Sequence, residues 1–395
     1  MSIELRGARV WDGRARETSP GPATIEIDAE RIVSIRSAGG SGGGGFDLAG
    51  CTVIPGLIDA HVHMTLDPEL RSPGEQLRTP QGRLEEQMRA RALAMVRAGI
   101  TTARDLGGGA WLEIALRDRI ARGELPGPRL LCAGQPVTSP GGHCFFWGGE
   151  ARSEREIERV VKRQTDHGAD WIKVMATGGM LTRGTRVREA QFDLDGLRAA
   201  VAAARARGRE VAAHCHGTRG IALAAEAGVR TIEHCSWVGD AGFGSAFDPD
   251  VAEVLAKAGS FVSPTINAGW KRFLSGKGGK PSERAARMRA CFAGLRSAGV
   301  ELIASTDAGI PNVAHHRLPA ALAVFAEIAE LEPVEALRAA TSNAARALGL
   351  EGRTGQLLPG YEADLLVVEG DPLHDLAALE RPRLVVARGR VFELD

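Results

Sequence analysis

The stretch DWIKVMATGG, residues 170–179, places a lysine at the centre of an apolar run. Asp170 and the Gly178-Gly179 pair bound Trp171-Ile172-Lys173-Val174-Met175, whose length and composition read as a buried strand. Alternation puts Lys173 on the same face as Trp171 and Met175. An unpaired ammonium in such a place is very costly, so the residue demands a chemical reason. Lysine is also scarce in this chain. Only six of its 49 basic residues are lysines, at 162, 173, 257, 271, 277 and 280. Arginine keeps its proton in a protein, whereas a desolvated lysine can lose it and become nucleophilic.

Around this strand the pattern repeats. Further apolar runs lie at 54–61, 101–105, 129–133, 210–214, 231–234, 260–265 and 301–305. Helical stretches rich in Ala, Arg and Leu fall between most of them, such as 84–98, 154–167, 194–207, 217–227, 249–258 and 283–298. Eight strands alternating with helices predict a (β/α)8 barrel over residues 55–350. A helical stretch from 318 to 348 is interrupted by Pro333, which predicts two helices. Residues 1–54 and 351–395 read instead as short strands with Gly, Pro and Asp-Gly turns, and TIEIDAERIVSI resembles a hairpin. The simplest assembly is a small β domain made from both chain ends, with the barrel inserted between them. The run Gly39-Gly40-Ser41-Gly42-Gly43-Gly44-Gly45 is expected to be a flexible loop. No Lys-Ser/Thr follows it and no helix opens after it, which argues against a phosphate-binding loop.

Composition narrows the function classes. With 44% hydrophobic and 25% charged residues, the chain reads as an ordinary soluble protein. A formal net charge of zero gives nucleic-acid binding no electrostatic footprint. No apolar run reaches the ~18 residues needed to span a membrane, and no secretory leader is recognisable. The cysteines at 51, 132, 144, 215, 235 and 291 are scattered, without a CxxC pair. Reduced thiols and a cytoplasmic location are therefore expected.

Residues at the C-terminal ends of barrel strands face the active site. The first strand ends in DAHVHM, with His61 and His63 projecting to one side. Lys173 lies on the fourth, His214 and then His216 end the fifth in VAAHCHG, and His234 ends the sixth in TIEHCSW. The eighth ends in STDAG with Asp307. A lone core histidine is more often hydrogen-bonded than metal-bound, and Asp307 alone could cap a helix. Jointly, neutral imidazoles and a carboxylate at successive strand ends suit Zn²⁺ and related divalent ions. His143, in the loop SPGGHCFFWGG after the third strand, is a candidate substrate contact, as are His216 and Arg183. Phe145, Phe146 and Trp147 are candidates for an apolar wall, and His315 and His316 follow the eighth strand.

The segments VIPGLIDAHVHM, IKVMATGG, HCHG, TIEHCSW, STDAG and AATSNAARALGLEGRTGQLLPGYEADLLVVEGDPL resemble the amidohydrolase superfamily over nearly the whole chain. Within it, the chain is most similar to the imidazolonepropionase-like and Xaa-Pro or Xaa-Arg dipeptidase-like metal-dependent hydrolases. The resemblance implies an α/β fold, a distorted (β/α)8 TIM barrel with a small β-sandwich built from both termini. It implies two divalent metal ions, zinc first among them. His61, His63 and Asp307 would bind one, His214 and His234 the other, and Lys173, carboxylated by CO2, would bridge them. A metal-bridging hydroxide would attack the substrate, and Asp307 would take its proton and pass it to the leaving amine.

The implied activity is hydrolysis of an amide-type C–N bond in a small-molecule substrate, a dipeptide or N-acyl amino acid, by a homo-oligomer. A cyclic amide, urea, carbamate or lactone would suit the same site, and a non-catalytic assembly protein could use the same scaffold. Dipeptidase-like members often present hydroxyl or cationic side chains to a substrate carboxylate. The single tyrosine here, Tyr361, lies in the C-terminal β region. His143, His216 or an arginine would have to take that part.

Overall fold

The computed structural model describes residues 2–37, 45–70, 72–274 and 281–394. Apart from Gly45, the glycine run expected as a flexible loop lies outside these residues. Both chain ends enter one eight-stranded sheet. The N-terminal part supplies β1 (Ser2–Val10), β2 (Ala23–Asp28), β3 (Arg31–Ser37), β4 (Phe46–Asp47) and β5 (Cys51–Pro55). The C-terminal part supplies β13 (Leu365–Glu369), β14 (Pro382–Ala387) and β15 (Arg390–Glu393). The strand order is β15-β14-β13-β5-β1-β2-β3, with β4 paired to β1. The antiparallel pair β2–β3 is the hairpin read in TIEIDAERIVSI, turning at Ala29 with a φ of 51°. This sheet has its own apolar core, in which Leu5, Ile25 and Val53 meet Leu365 and Leu384.

Between the two ends the chain alternates parallel strands with helices. The strands are β6 (Leu57–Val62), β7 (Ile100–Asp105), β8 (Arg129–Cys132), β9 (Trp171–Met175), β10 (Glu210–Cys215), β11 (Thr231–His234) and β12 (Phe261–Ser263). They form a three-stranded sheet β6-β7-β8 and a four-stranded sheet β12-β11-β10-β9. Two seams join them. On one side Asp170 N–H donates to the Cys132 carbonyl at 2.8 Å and Val137 N–H to the Lys173 carbonyl at 2.8 Å. On the other side residues 301–308 run between β12 and β6: Ile303 N–H donates to Val262 at 2.9 Å and Asp307 N–H to His61 at 2.9 Å.

The sequence pattern predicts one strand over 54–61 and another over 301–305, and the structure differs at both. The first divides at Gly56 into β5 and β6. A Cβ there would lie 2.2 Å from Thr101 Oγ1, so only glycine permits the crossing. At 301–305 there is a single bridge, Leu302 to Val262. The physical reason lies in the helix Pro333–Ala339. The Ala339 carbonyl takes the Ala304 N–H at 2.9 Å, and the next carbonyl, Ala340, takes the Ile58 N–H at 2.8 Å. These carbonyls occupy the ladder positions that a regular eighth strand would need. Likewise, the stretch 318–348 is three helices, Leu318–Ala329, Pro333–Ala339 and Ser342–Ala347, rather than two. All six cysteines are buried and free. Among the described residues no helix is long and apolar enough to cross a membrane.

Candidate active site

The strand ends deliver their side chains into one cavity of about 500 Å³. His61, His63, His143, Lys173, His214, His216, His234 and Asp307 all line it. Strand alternation accounts for the inward aim of Lys173 and Met175 on β9, and of Thr231 and Glu233 on β11. His234 follows Glu233 and would face outward by alternation. Its left-handed backbone, φ 64°, lets both face the interior. Asp307, at φ 61°, is turned by the same device, while the buried Asp59 carboxylate accepts from Thr306 N–H at 3.1 Å and from Thr306 Oγ1–H at 2.6 Å.

One side of the cavity gathers His61, His63 and Asp307. The Nε2 atoms of the two histidines are 3.3 Å apart and lie 3.4 and 3.3 Å from Asp307 Oδ1. Their other nitrogens are fixed from behind. His61 Nδ1 meets Glu233 Oε2 at 2.9 Å, and His63 Nδ1 donates to the Gly107 carbonyl at 3.0 Å. Glu233 is itself clamped by the fully buried Arg104, whose Nη2 donates to Oε1 at 2.8 Å. Burial drives the His61 imidazole down to about 4, with Lys173 adding to the effect. Burial acts on His63 the same way, but the Asp307 and Asp105 carboxylates and the Gly107 carbonyl together outweigh it and leave its pKa raised. Burial opposes ionisation of Asp307 too, yet His61, His63 and His234 hold it well below the usual carboxylate range.

The other side gathers His214, His216 and His234, whose ring centroids lie 4.5 to 4.7 Å apart. Their anchors are neutral. His214 Nε2 meets the Gly178 carbonyl at 3.1 Å, His216 Nδ1 the Ser236 hydroxyl at 2.6 Å, and His234 Nδ1 the Thr265 hydroxyl at 2.9 Å. Burial holds His216 down to about 4 and carries His214 and His234 well below the ordinary value. The imidazoles are therefore neutral, with lone pairs free to act as ligands. Two groups bring their donor atoms within 4.8 Å of one another: His61, His234 and Asp307, and His214, His216 and His234.

Lys173 lines the same cavity and is 1% exposed. Its Nζ has no hydrogen-bond partner among the described residues. Burial lowers its pKa to about 8, against the pull of Glu233 and Asp307. An orphaned amine beside six imidazole rings is a poor arrangement for a bare protein. It fits divalent cations together with a modified amine.

The remaining candidates divide. His143 is buried, with Nδ1 3.1 Å from Thr182 Oγ1 and its ring 4.6 Å from that of His214. A Cβ on Gly179 would stand 2.4 Å from His143 Nε2, so the last glycine of DWIKVMATGG makes room for this ring. Trp147 lines the cavity, whereas Phe145 is exposed to solvent. Arg183 is exposed and does not line the cavity: Thr182 turns inward to His143 and to Cys144 N–H, and the next residue faces out. His315 is buried behind the site, with Nε2 donating to the His63 carbonyl at 3.0 Å, and His316 is exposed.

With this geometry established, likeness to known proteins becomes informative. The sequence profile described as the amidohydrolase family matches residues 52–392. The chain belongs to the amidohydrolase family. It is 29% identical over 369 residues to the ochratoxinase of Aspergillus niger, covering 84% of this chain and 73% of that one. It is 26% identical to the imidazolonepropionase of Chloroflexus aggregans, covering 87% and 83%. A crystal structure of a Xaa-Pro dipeptidase with methionine in its active site superposes with a TM-score of 0.85 at 27% identity, covering the whole of both chains.

Two residues of this amidohydrolase escaped the reading of its sequence. Glu233 stands beside a predicted ligand, and its alternation with Thr231 in TIEH was the available signal. Arg104, in ITTARD, reads as a surface cation on a strand, and its partner is 129 residues away.

Proposed function

We propose that this chain is a binuclear metal-dependent hydrolase of an amide-type C–N bond, with dipeptides or N-acyl amino acids as substrates. The observation that carries the proposal is Lys173 Nζ, buried without a partner among the described residues in the cavity that also holds the two groups of ligand atoms. His61, His63 and Asp307 would hold one divalent ion, zinc first among the candidates, and His214 and His234 the other. Lys173 would bridge them as a carbamate: its ammonium first loses a proton, and the neutral amine then bonds the carbon of CO2 and releases a second, leaving a two-oxygen anionic ligand where a cation stood. When bound, such ions lower the pKa of water and polarise a carbonyl.

The chain's own groups do the rest. Asp307, ionised and 13% exposed at its side chain, can accept a proton and return it to the leaving nitrogen. Glu233 fixes the tautomer of His61 so that Nε2 faces the cavity. His143 and His216 face the substrate, and Trp147 supplies an apolar wall. The grouping of His216 with His214 and His234 also favours a second reading, in which His216 is a further nitrogen ligand.

Within this proposal, residues 55–350 form a distorted (β/α)8 barrel, which the two seams of hydrogen bonds support. Residues 1–54 and 351–395 form a β-sandwich, supported by their separate core. The free cysteines support a cytoplasmic protein, and we expect a homo-oligomer. The test is metal analysis after expression with zinc and bicarbonate, followed by hydrolysis assays on N-acyl amino acids, dipeptides, lactams and lactones. About two equivalents of zinc and turnover of the open-chain amides are expected. Zinc-free protein that hydrolyses none of them would overturn the proposal.

A further inference from the structure

The mouth of the cavity holds a second constellation. Arg284, on the helix Glu283–Ser297, lies among three aromatic rings that also line the cavity. Its guanidinium carbon is 3.8 Å from the ring centroid of Phe243, 4.3 Å from that of Trp270 and 4.3 Å from that of Phe273. Arg272 lines the same mouth and lies 4.7 Å over Phe273. Phe243 joins this box to the histidines, its ring centroid 6.1 Å from that of His216.

The charges here are unbalanced. Among the described residues, no carboxylate pairs with Arg284 or Arg272, and Arg284 Nε is buried without an acceptor. Arg287 nearby is satisfied, donating to the Phe243 and Ala241 carbonyls at 3.0 and 2.8 Å and facing Glu283 at 3.5 Å. Burial first, then Arg272 and Arg287, bring the Arg284 pKa down to about 10, so its charge lacks compensation. Aromatic contacts satisfy the faces of a guanidinium, while its five N–H donors lie in its plane and call for acceptors there. A stacked guanidinium with a free donor edge, in the wall of a mostly apolar cavity, is built for a planar anion.

We propose that Arg284, supported by Arg272, receives the carboxylate of the substrate. This inference rests on the hydrolase reading and narrows it. The substrate is an N-acyl amino acid or dipeptide with a free carboxylate at the mouth, its scissile bond at the histidines. The apolar walls, among them Leu181, Met288 and Ile310, select an apolar amino-acid side chain. Arg284 thus takes the part that no tyrosine fills and that the exposed Arg183 does not reach.

The test separates binding from chemistry. The zinc-loaded protein is titrated calorimetrically with N-methanesulfonyl-L-leucine, whose sulfonamide resists hydrolysis, and with its carboxamide. The acid should bind about tenfold or more tighter than the carboxamide, as expected when hydrogen bonds to a charged group are lost. In Arg284→Met the ratio should fall to about twofold or less, and Arg284→Lys should keep an intermediate ratio because it retains the charge without the fork. No preference in the wild type, or a preference that survives in both variants, would overturn the proposal. Hydrolysis of N-acetyl-L-leucine should show the Arg284→Lys loss in KM, with kcat nearly unchanged. An intact binding preference without hydrolysis of any substrate would sink the hydrolase reading and leave the carboxylate receptor standing.

Discussion

The two sides of the histidine cluster are held in different ways. Behind His61 stands an ionic chain, Glu233 and then Arg104, both fully buried. Behind His214, His216 and His234, among the described residues, stand a carbonyl and two hydroxyls. A carboxylate at the far nitrogen makes an imidazole a more basic ligand than a hydroxyl does. Under the proposed function, the His61 side would therefore be the stronger metal position, and the His214 side would depend more on what bridges to it. Lys173 is the residue proposed to bridge, and its Nζ has no partner among the described residues that would compete for it.

That asymmetry can be broken at its centre. Lys173→Ala should leave most of the first ion in place, remove most of the second, and lower kcat by about a thousandfold or more. Lys173→Arg should do the same, because a guanidinium does not form a carbamate. Metal analysis and steady-state kinetics on the same preparations check both statements. Two ions and wild-type turnover in either variant would remove the bridging role.

The next comparison sets the anchors against each other. Glu233→Gln leaves the Arg104 guanidinium buried without a counter-charge, at a cost of about 3 kcal/mol in stability. It should also weaken the first ion by roughly 10–100-fold in a chelator competition. Thr265→Val removes only a hydroxyl behind His234, at a residue whose left-handed backbone, φ 54°, already carries a β-branched side chain. It should weaken the second ion by about tenfold and barely move the melting temperature. An equal loss of stability in the two variants would show that the anchors are alike after all.

How much of this was legible follows from where each signal lies along the chain. His61, His214, His234 and Asp307 stand at or beside the end of an apolar run and Lys173 at the centre of one, so alternation and the order of elements pick them out without coordinates. The seam at 301–308 was not legible, because the carbonyls that displace its ladder come from the end of a helix more than thirty residues away. The carboxylate receptor was hidden for a similar reason. Phe243, the pair Trp270 and Phe273, and Arg284 belong to three separate segments of loop and helix with no shared periodicity. Arg183 follows a strand end, yet the inward turn of Thr182 leaves it in solvent.

A third layer behind His63 sharpens the comparison further. The Asp105 carboxylate accepts from Met64 N–H at 2.6 Å and from Gly107 N–H at 2.9 Å, and so positions the carbonyl that holds His63. Glu113 lies behind it, with both carboxyl oxygens buried and unpartnered among the described residues. Burial first, and then Asp105, raise its pKa from 4.5 to about 8, against a smaller opposing pull from Arg117. The folded protein therefore retains a proton that the unfolded chain releases. Stability from this group is fully present below pH 4.5 and declines as pH rises toward 8. Glu113→Gln, a neutral replacement of the same shape, should melt within about 1 °C of the wild type at pH 5 and roughly 3 °C above it at pH 9. Melting curves at the two pH values decide the matter. A gain at pH 5 as large as that at pH 9 would mean that Glu113 is ionised throughout, and that the support behind His63 is charged like that behind His61.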